Sequence, residues 1–295
     1  MSEANFTPPT TEQVETLLDE HPLRSPSPLA AWGPLIGLVA LLVVVLVIGG
    51  IWGVILPWLG LGVLLGYLML RMRRVRQVEQ RVTRAQELAM LRHHQQALAM
   101  GWRLLPKSNT SPATYLRTMT LIGHCLEELK VYEGAIACFD RLLDVLPQEH
   151  PGAVHLRIHR AIAALGCERL LDADDGLSRL RGTMGQYPQS PLSALYRLAD
   201  LIQAVRTGHY ADPLREADTL LAELRPLGVE AGYGHGLMAV CYHHARPDAS
   251  DEHGRSRQRE QSAMWWQRAT TLLPSEALVA RFPELAVMQA EAGDT

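Results

Sequence analysis

The chain has 295 residues, of which 47% are hydrophobic, 20% are charged and 6% are aromatic, and its formal net charge at pH 7 is -3. Nucleic-acid-binding proteins usually carry a strong basic excess, so this balance argues against nucleic acid as a partner. The apolar content excludes a wholly disordered chain, and four cysteines are too few for a disulfide-stapled miniature domain.

Residues 1–29 form an acidic, proline-rich arm that we expect to be mostly disordered. One short helix is predicted inside it, because Thr10 and Gln13 match a capping box. The apolar residues that follow share one helical face: Val14, Leu17 and Leu18. Such a helix could dock a partner or remain a loosely ordered arm, and it is too acidic to favour a membrane surface.

The next block, residues 30–71, is predicted to form a transmembrane region. From Trp32 to Leu70 the sequence contains no charged residue, and this run is nearly twice the roughly 20 residues that span a bilayer. We therefore expect two helices that turn near Gly49-Gly50, since glycine tolerates a tight turn. The alternative is a single span with a re-entrant or interfacial partner segment.

A basic cluster directly follows the apolar block at Arg71, Arg73, Arg74 and Arg76. Positive residues beside a membrane span stay in the cytoplasm, so the chain after this cluster is expected there. A hairpin places both termini in the cytoplasm, whereas a single span places the N-terminus outside. The same arginines could bind anionic lipids, but determination of topology already accounts for them.

Residues 72–105 predict one long juxtamembrane helix, a stalk that continues the second span. Apolar residues recur at spacings of three and four from Val75 to Ala85, and again from Leu88 to Leu105 after a phase slip. The proline- and serine-rich stretch 106–112 is expected to end this helix.

Residues 106–295 are predicted to be an all-α repeat domain. Apolar positions keep a helical period there, and no segment alternates with a period of two. Helices are expected to stop near recurring prolines: Pro147, Pro188, Pro226 and Pro274. Helix-breaking prolines that recur at intervals of this length indicate a solenoid of helix pairs.

Residues 116–149 resemble a tetratricopeptide repeat (TPR). Gly123 stands at the tight crossing position of the first helix, and Tyr132 matches the aromatic residue at the turn. The second helix matches the family at its small, aromatic and terminal proline positions: Ala135, Phe139 and Pro147. The segment departs from the family pattern at three positions: Met119, Leu126 and Leu142. The resemblance implies a helical hairpin within a TPR-like α-solenoid that binds a protein or peptide partner.

Weaker repeats follow the clear one. Gly208-His209-Tyr210 repeats the turn, and four residues near the end match a second helix: Ser262, Trp266, Ala269 and Pro274. The first helix of that last pair is expected at 231–244, with the polar segment 246–261 forming an exposed loop. The stretch 152–187 fits a degenerate pair, and residues 274–295 are expected to form a capping helix.

Catalytic motifs are missing from the sequence, since it has no phosphate loop, zinc-protease motif or nucleophile elbow. We therefore expect no enzyme activity, no cofactor and no metal. The glycine-rich segment 232–236 is interpreted as a helix start that lets neighbours approach. The four cysteines are expected to be reduced structural thiols. His155 and His159 have a spacing that can hold a metal, but without a completing carboxylate or cysteine nearby they are interpreted as ordinary surface histidines.

One concave face can be named if the TPR register holds. In the first repeat its residues are Arg117, Thr120, His124, Glu127 and Glu128, and in the last repeat they are Tyr233, Gly236, Val240, His243 and His244. TPR proteins that clamp a C-terminal carboxylate carry lysine and asparagine where this chain has Thr120 and His124. A carboxylate clamp is therefore not expected.

These features predict a membrane-anchored TPR scaffold that binds a protein or peptide at the cytoplasmic face of a bacterial inner membrane. The architecture is similar to that of HemY-like and LapB-like assembly factors. A shared architecture does not identify the biochemical function of the chain. One alternative is that the hairpin acts within a membrane complex while the solenoid regulates it. An enzyme with an unrecognised site is the third possibility.

Overall fold

The computed structural model describes residues 7–22, 37, 39–40, 43, 52–108, 111–147, 150–245 and 252–293. Every regular element in these ranges is helical, which confirms the all-α class. The α-helices are α1 (Thr11–Glu20), α2 (Trp52–Met90), α3 (His94–Ser108), α4 (Pro112–Glu128), α5 (Tyr132–Leu143), α6 (Pro151–Gly166), α7 (Leu170–Met184), α8 (Pro191–Thr207), α9 (Ala211–Arg215), α10 (Ala217–Leu224), α11 (Ala231–His244), α12 (Glu252–Leu272), α13 (Ser275–Arg281) and α14 (Ala286–Gly293). Two short 3₁₀ helices are found at Arg225–Glu230 and Pro283–Leu285.

The chain divides into two compact units, Met1–Leu129 and Lys130–Thr295. In the first unit, α2, α3 and α4 pack against one another in all three pairings. The apolar spacing along α2 explains its contribution, since Val82 and Ala85 are fully buried. Gly101 on α3 allows a close approach to α4, because a Cβ there would lie 3.1 Å from the Cγ1 of Ile122.

The predicted single helix over 72–105 is wrong, because the structure has two helices there. Helix α2 ends at Met90 and α3 begins at His94. Between them Arg92 adopts a φ of 63°, and the amide of His93 donates to the carbonyl of Leu88 as in a Schellman turn. The phase slip in the apolar pattern coincides with this break, and α3 ends at Ser108, inside the stretch expected to stop it.

Helix α2 is continuous from Trp52 through the arginine cluster to Met90. The backbone is therefore helical without a break from the second apolar segment into the arginine cluster. The first predicted span and the proposed turn at Gly49-Gly50 lie outside the described residues, apart from residues 37, 39–40 and 43. Among the described helices, none is both long and apolar enough to cross a membrane.

The short helix in the N-terminal arm is confirmed as α1. Its capping box is complete, because the Thr10 amide donates to Oε1 of Gln13 at 3.0 Å and the Gln13 amide donates to Oγ1 of Thr10 at 3.4 Å. The predicted apolar face is buried: Val14, Leu17 and Leu18. The hydroxyl of Tyr115 on α4 donates to the carbonyl of His21 at 2.9 Å, which holds the end of α1.

In the second unit, helices pack both against their neighbours in the chain and against helices further along it. Helix α6 contacts α5, α7 and α8, and α8 contacts α7, α10 and α11. Helix α11 then packs along α12. The expected helix stops are confirmed, since α5, α7, α10 and α12 each end within four residues before one of the named prolines.

A shared local geometry recurs along the chain at the turns between helices. Six described residues have a positive φ. Two of them, Gln189 (φ 54°) and Gly228 (φ 60°), fall outside a regular spacing, and the other four are Arg92 (φ 63°), Lys130 (φ 62°), Glu168 (φ 63°) and Gly208 (φ 75°). These four recur at intervals of 38 to 40 residues. Three of the helices that precede them begin with proline: Pro112, Pro151 and Pro191. Proline suits a helix start because it has no amide hydrogen to leave unpaired there.

Two local predictions near the C-terminus need correction. The polar segment 246–261 is not a loop throughout, because α12 begins at Glu252. Its arginines, glutamines and glutamates are strong helix formers, and residues 246–251 lie outside the described part. The predicted capping helix over 274–295 is broken into α13 and α14, because Pro283 disfavours helical geometry at the preceding Phe282.

Candidate protein-binding groove

The glycine-rich segment of α11 lets three elements approach this helix closely. A Cβ at Gly234 would lie 2.5 Å from Cδ1 of Leu224, and one at Gly232 would lie 3.3 Å from the carbonyl oxygen of Ala269. A Cβ at Gly236 would lie 3.0 Å from Cδ1 of Leu285. The interpretation of this segment as a close-packed helix start is therefore confirmed.

Helices α11, α12 and α14 enclose an open groove of about 1070 Å³ in the second unit. Its floor is apolar, because Trp266 and Met288 line it and are both buried. Ser262, which also lines the groove, donates from Oγ to the carbonyl of Ala239 at 2.9 Å and so ties α12 to α11. The floor is consequently held by packing and by a buried hydrogen bond.

The rim of the groove is polar and rich in donors. Arg255 and Arg259 stand one turn apart on α12, and both are exposed. Within the described residues, no carboxylate forms an ion pair with either arginine. Three amide side chains complete the rim: Gln258, Gln267 and Gln289. Amides donate and accept hydrogen bonds, so this rim is suited to an extended backbone and to acidic side chains.

One end of the groove carries a small histidine cluster. Nδ1 of His243 lies 3.3 Å from Oε1 of Glu291, so the two form an ion pair when the imidazole is protonated. His244 stacks on Tyr210 with ring centroids 4.9 Å apart. Burial, and secondly the neighbouring His243, lower the pKa of the His244 imidazole. This end therefore favours a neutral His244 at physiological pH.

A second groove of about 1220 Å³ lies among α7, α8 and α10. Its central arginine is already paired, because guanidinium nitrogens of Arg197 lie 2.7 Å from Oε2 of Glu223 and 3.1 Å from Oε2 of Glu216. Burial is the main reason that the pKa of Asp200 in this groove is raised. Because its ion pairs are internal, this groove offers less to a charged partner than the α11–α12–α14 groove does.

The first-repeat residues of the predicted face lie on α4. Arg117 is exposed and donates to Oε1 of Gln86 at 2.6 Å. Thr120 and His124 are half-buried, and Glu128 is exposed. Glu127 is only 2% exposed, so its side chain does not present an open surface.

The last-repeat residues of that face lie on α11 and are split between surface and core. His243 lines the groove described above, whereas Tyr233 is half-buried and makes an edge-to-face contact with Phe282, with centroids 5.5 Å apart. Gly236 and Val240, which were expected on the open face, are buried. The C-terminal helices account for this difference, since Leu285 covers Gly236.

The groove residues on α12 and α14 were not predicted as site residues. Arg255, Gln258 and Arg259 lie in the segment 246–261, which the sequence predicts to be a loop, so that prediction places none of them on a helix face. The arginines at an interval of four residues were the available signal. Met288 and Glu291 could not have been found in this way, because only the tertiary packing brings α14 beside α12.

Cysteines were expected to be structural, and their surroundings agree with that interpretation. All four are free thiols, with three of them buried and Cys167 half-buried. Burial raises the pKa of Cys138 and of Cys241 to about 12. Burial, and secondly the charge of Glu128, raise the pKa of Cys125 to about 12. Thiols in such surroundings are poor nucleophiles.

Comparison of the chain with protein-family models, with curated proteins and with solved structures gives no match.

Proposed function

We propose that the chain is a membrane-anchored helical-repeat scaffold. In this proposal α2 carries the chain into a bilayer, and the α11–α12–α14 groove holds an extended, acidic segment of a protein partner. The TPR-like α-solenoid and the two-span anchor predicted from the sequence belong to this proposal.

The observation that carries the anchor is the apolar surface of α2. Six side chains between residues 61 and 72 are 39% to 61% exposed: Leu61, Leu65, Tyr67, Met69, Leu70 and Met72. At about 100° per residue, four of them lie within an arc of about 80°, whereas Leu70 and Tyr67 lie about 180° and 240° from Leu61, so the apolar surface is not confined to one face. Apolar side chains exposed on more than one side of a helix are favourable in a membrane, and among the described residues no element covers them fully.

The basic cluster supports the same orientation. Arg71, Arg73, Arg74 and Arg76 are exposed and directly follow the apolar stretch on the same helix. Relative to Arg71, the other three lie at about 200°, 300° and 140° around the axis. A collar of this kind fits a helix that crosses the membrane surface, because a helix lying flat would carry its cations on one side. The positive-inside rule then places the second unit in the cytoplasm of a bacterium.

The repeat architecture rests on packing and on the recurring turns. Residues that define the TPR resemblance are buried as that family requires: Gly123, Ala135 and Phe139. Helices α6, α8 and α11 each begin a pair, and adjacent members contact one another. The interval of 38 to 40 residues between turns is longer than the 34 residues of a TPR, so the repeats are TPR-like with extended helices.

Membrane anchoring is tested with the full-length chain expressed in a bacterium. We expect it to stay in the membrane pellet after an alkaline carbonate wash, and a C-terminal green fluorescent protein to be fluorescent. Leu65→Arg combined with Met69→Arg should release the chain, because two charges in hydrocarbon are unfavourable. Leu171→Arg, at an 86% exposed apolar residue of the second unit, is the matched control and should leave retention unchanged. Wild-type protein in the wash supernatant would contradict the proposal.

Partner binding is tested with a photo-cross-linking residue placed in the groove at Gln267. The control carries the same residue at Glu260, which is exposed on α12 but does not line the groove. We expect one cross-linked partner from the Gln267 site alone, and its loss when Arg255→Glu and Arg259→Glu reverse the rim charge. Equal cross-linking from both sites would show that the groove is not the binding surface.

A further inference from the structure

Helix α6 carries two histidines one turn apart in the second unit. His155 and His159 are both half-buried, and their ring centroids lie 4.5 Å apart in a T-shaped arrangement. Each ring offers a nitrogen within 4.8 Å of the other's. Residues at i and i+4 share a helix face, so both nitrogens can reach one point beside the helix.

The surroundings of His159 favour its neutral imidazole. Burial is the main cause that lowers the pKa of His159 well below its usual value of 6.5, with contributions from His155 and Arg281. A neutral imidazole has a free nitrogen lone pair and needs no deprotonation before it coordinates. The ring of Phe139, whose centroid lies 6.1 Å from that of His159, provides an apolar boundary.

The guanidinium of Arg281 limits which cation suits this position. A hard cation such as Mg²⁺ or Ca²⁺ is held mainly by charged oxygen ligands, and the positive charge of Arg281 opposes its binding beside His159. A transition-metal ion bonds strongly to imidazole nitrogen and depends less on opposite charge.

We propose that His155 and His159 form a two-histidine chelate for a divalent transition-metal ion, Zn²⁺ or Ni²⁺. Metal–nitrogen bonds of about 2.1 Å require the two ligand nitrogens to lie about 3 to 3.4 Å apart. The rings reach this separation by rotating about their side-chain torsions, without any movement of the helix. Water or a donor atom of a bound molecule fills the remaining coordination positions.

Isothermal titration of the full-length, chelator-treated chain in detergent tests this site, with Zn²⁺ and Ni²⁺ chlorides as probes. We expect His155→Gln and His159→Gln each to weaken one binding event by tenfold or more. In contrast to His155→Gln, His155→Cys should retain Zn²⁺ binding, since thiolate is also a zinc ligand. His209→Gln, an exposed histidine elsewhere in the unit, controls for the other histidines and should leave that event unchanged.

Thermal unfolding keeps the test decisive if one variant folds poorly. Zn²⁺ should raise the midpoint of the wild-type chain more than Mg²⁺ does, and this difference should disappear in His155→Gln. Native-like variants that bind Zn²⁺ and Ni²⁺ as tightly as the wild type would overturn the proposal. A wild-type chain with no binding event tighter than millimolar would overturn it as well.

Discussion

At the scale of single residues, backbone conformation at the interhelical turns affects stability directly. Glu168 is exposed and adopts a φ of 63°, which is unfavourable for a side chain with a Cβ. Glu168→Gly should therefore stabilise the fold by about 1 kcal/mol, and Gly208→Ala, where φ is 75°, should destabilise it by about as much. Urea unfolding of both variants measures the two shifts, and shifts of the same sign would contradict this account.

Cysteine reactivity is also decided residue by residue. Burial raises the pKa of Cys138 and of Cys241 to about 12, so both remain thiols rather than thiolates at pH 8. Half-buried Cys167 has a raised pKa, again chiefly through burial, but a reagent can reach it. We expect a thiol reagent at pH 8 to label Cys167 first and the buried cysteines only after denaturation. Peptide mapping measures the order in which the cysteines are labelled. Cys167→Ser should abolish labelling of the folded chain.

At the scale of the helices, close packing restricts one glycine and leaves another free. A Cβ at Gly166 would lie 2.6 Å from ring atoms of Tyr132, whereas nothing lies within 4 Å of a Cβ at Gly182. Gly166→Ala should therefore destabilise the fold by about 1 to 3 kcal/mol through overpacking. Gly182→Ala, inside α7, should stabilise it by about 0.5 to 1 kcal/mol. Chemical denaturation compares them, and an equally tolerated Gly166→Ala would show that the ring moves freely.

At the scale of the whole molecule, buried His235 and half-buried His159 connect stability to pH. Burial, and secondly the charge of Arg268, lower the pKa of His235 below its usual 6.5, and His159 is lowered further. Both imidazoles are neutral in the folded chain and take up protons on unfolding once the pH falls below about 6.5. The free energy of unfolding should therefore decrease from pH 7.5 to pH 5.5. His235→Leu should make this slope shallower, and an unchanged slope in urea titrations would contradict the assignment to His235.

Local patterns in the sequence predicted much of the helical structure. The capping box at Thr10, the buried face of α1, the helix over 231–244 and the helix stops before prolines depend on residues within a few positions of each other. Hydrogen bonding and apolar periodicity act at that range, so they can be read directly. The close-packed glycines of α11 follow from the same reasoning, because absent side chains permit close approach whatever the partner.

Tertiary structure decided the features that depend on distant residues. The turn at Arg92 lacks glycine and proline, and the phase slip in the apolar pattern does not by itself end a helix, so the packing of α2, α3 and α4 decides where it breaks. Gly236 and Val240 fall on a predicted surface, yet C-terminal residues bury this part of α11. The groove exists only where α12 and α14 meet beside α11, because burial and convergence of side chains arise from contacts between segments far apart in the chain.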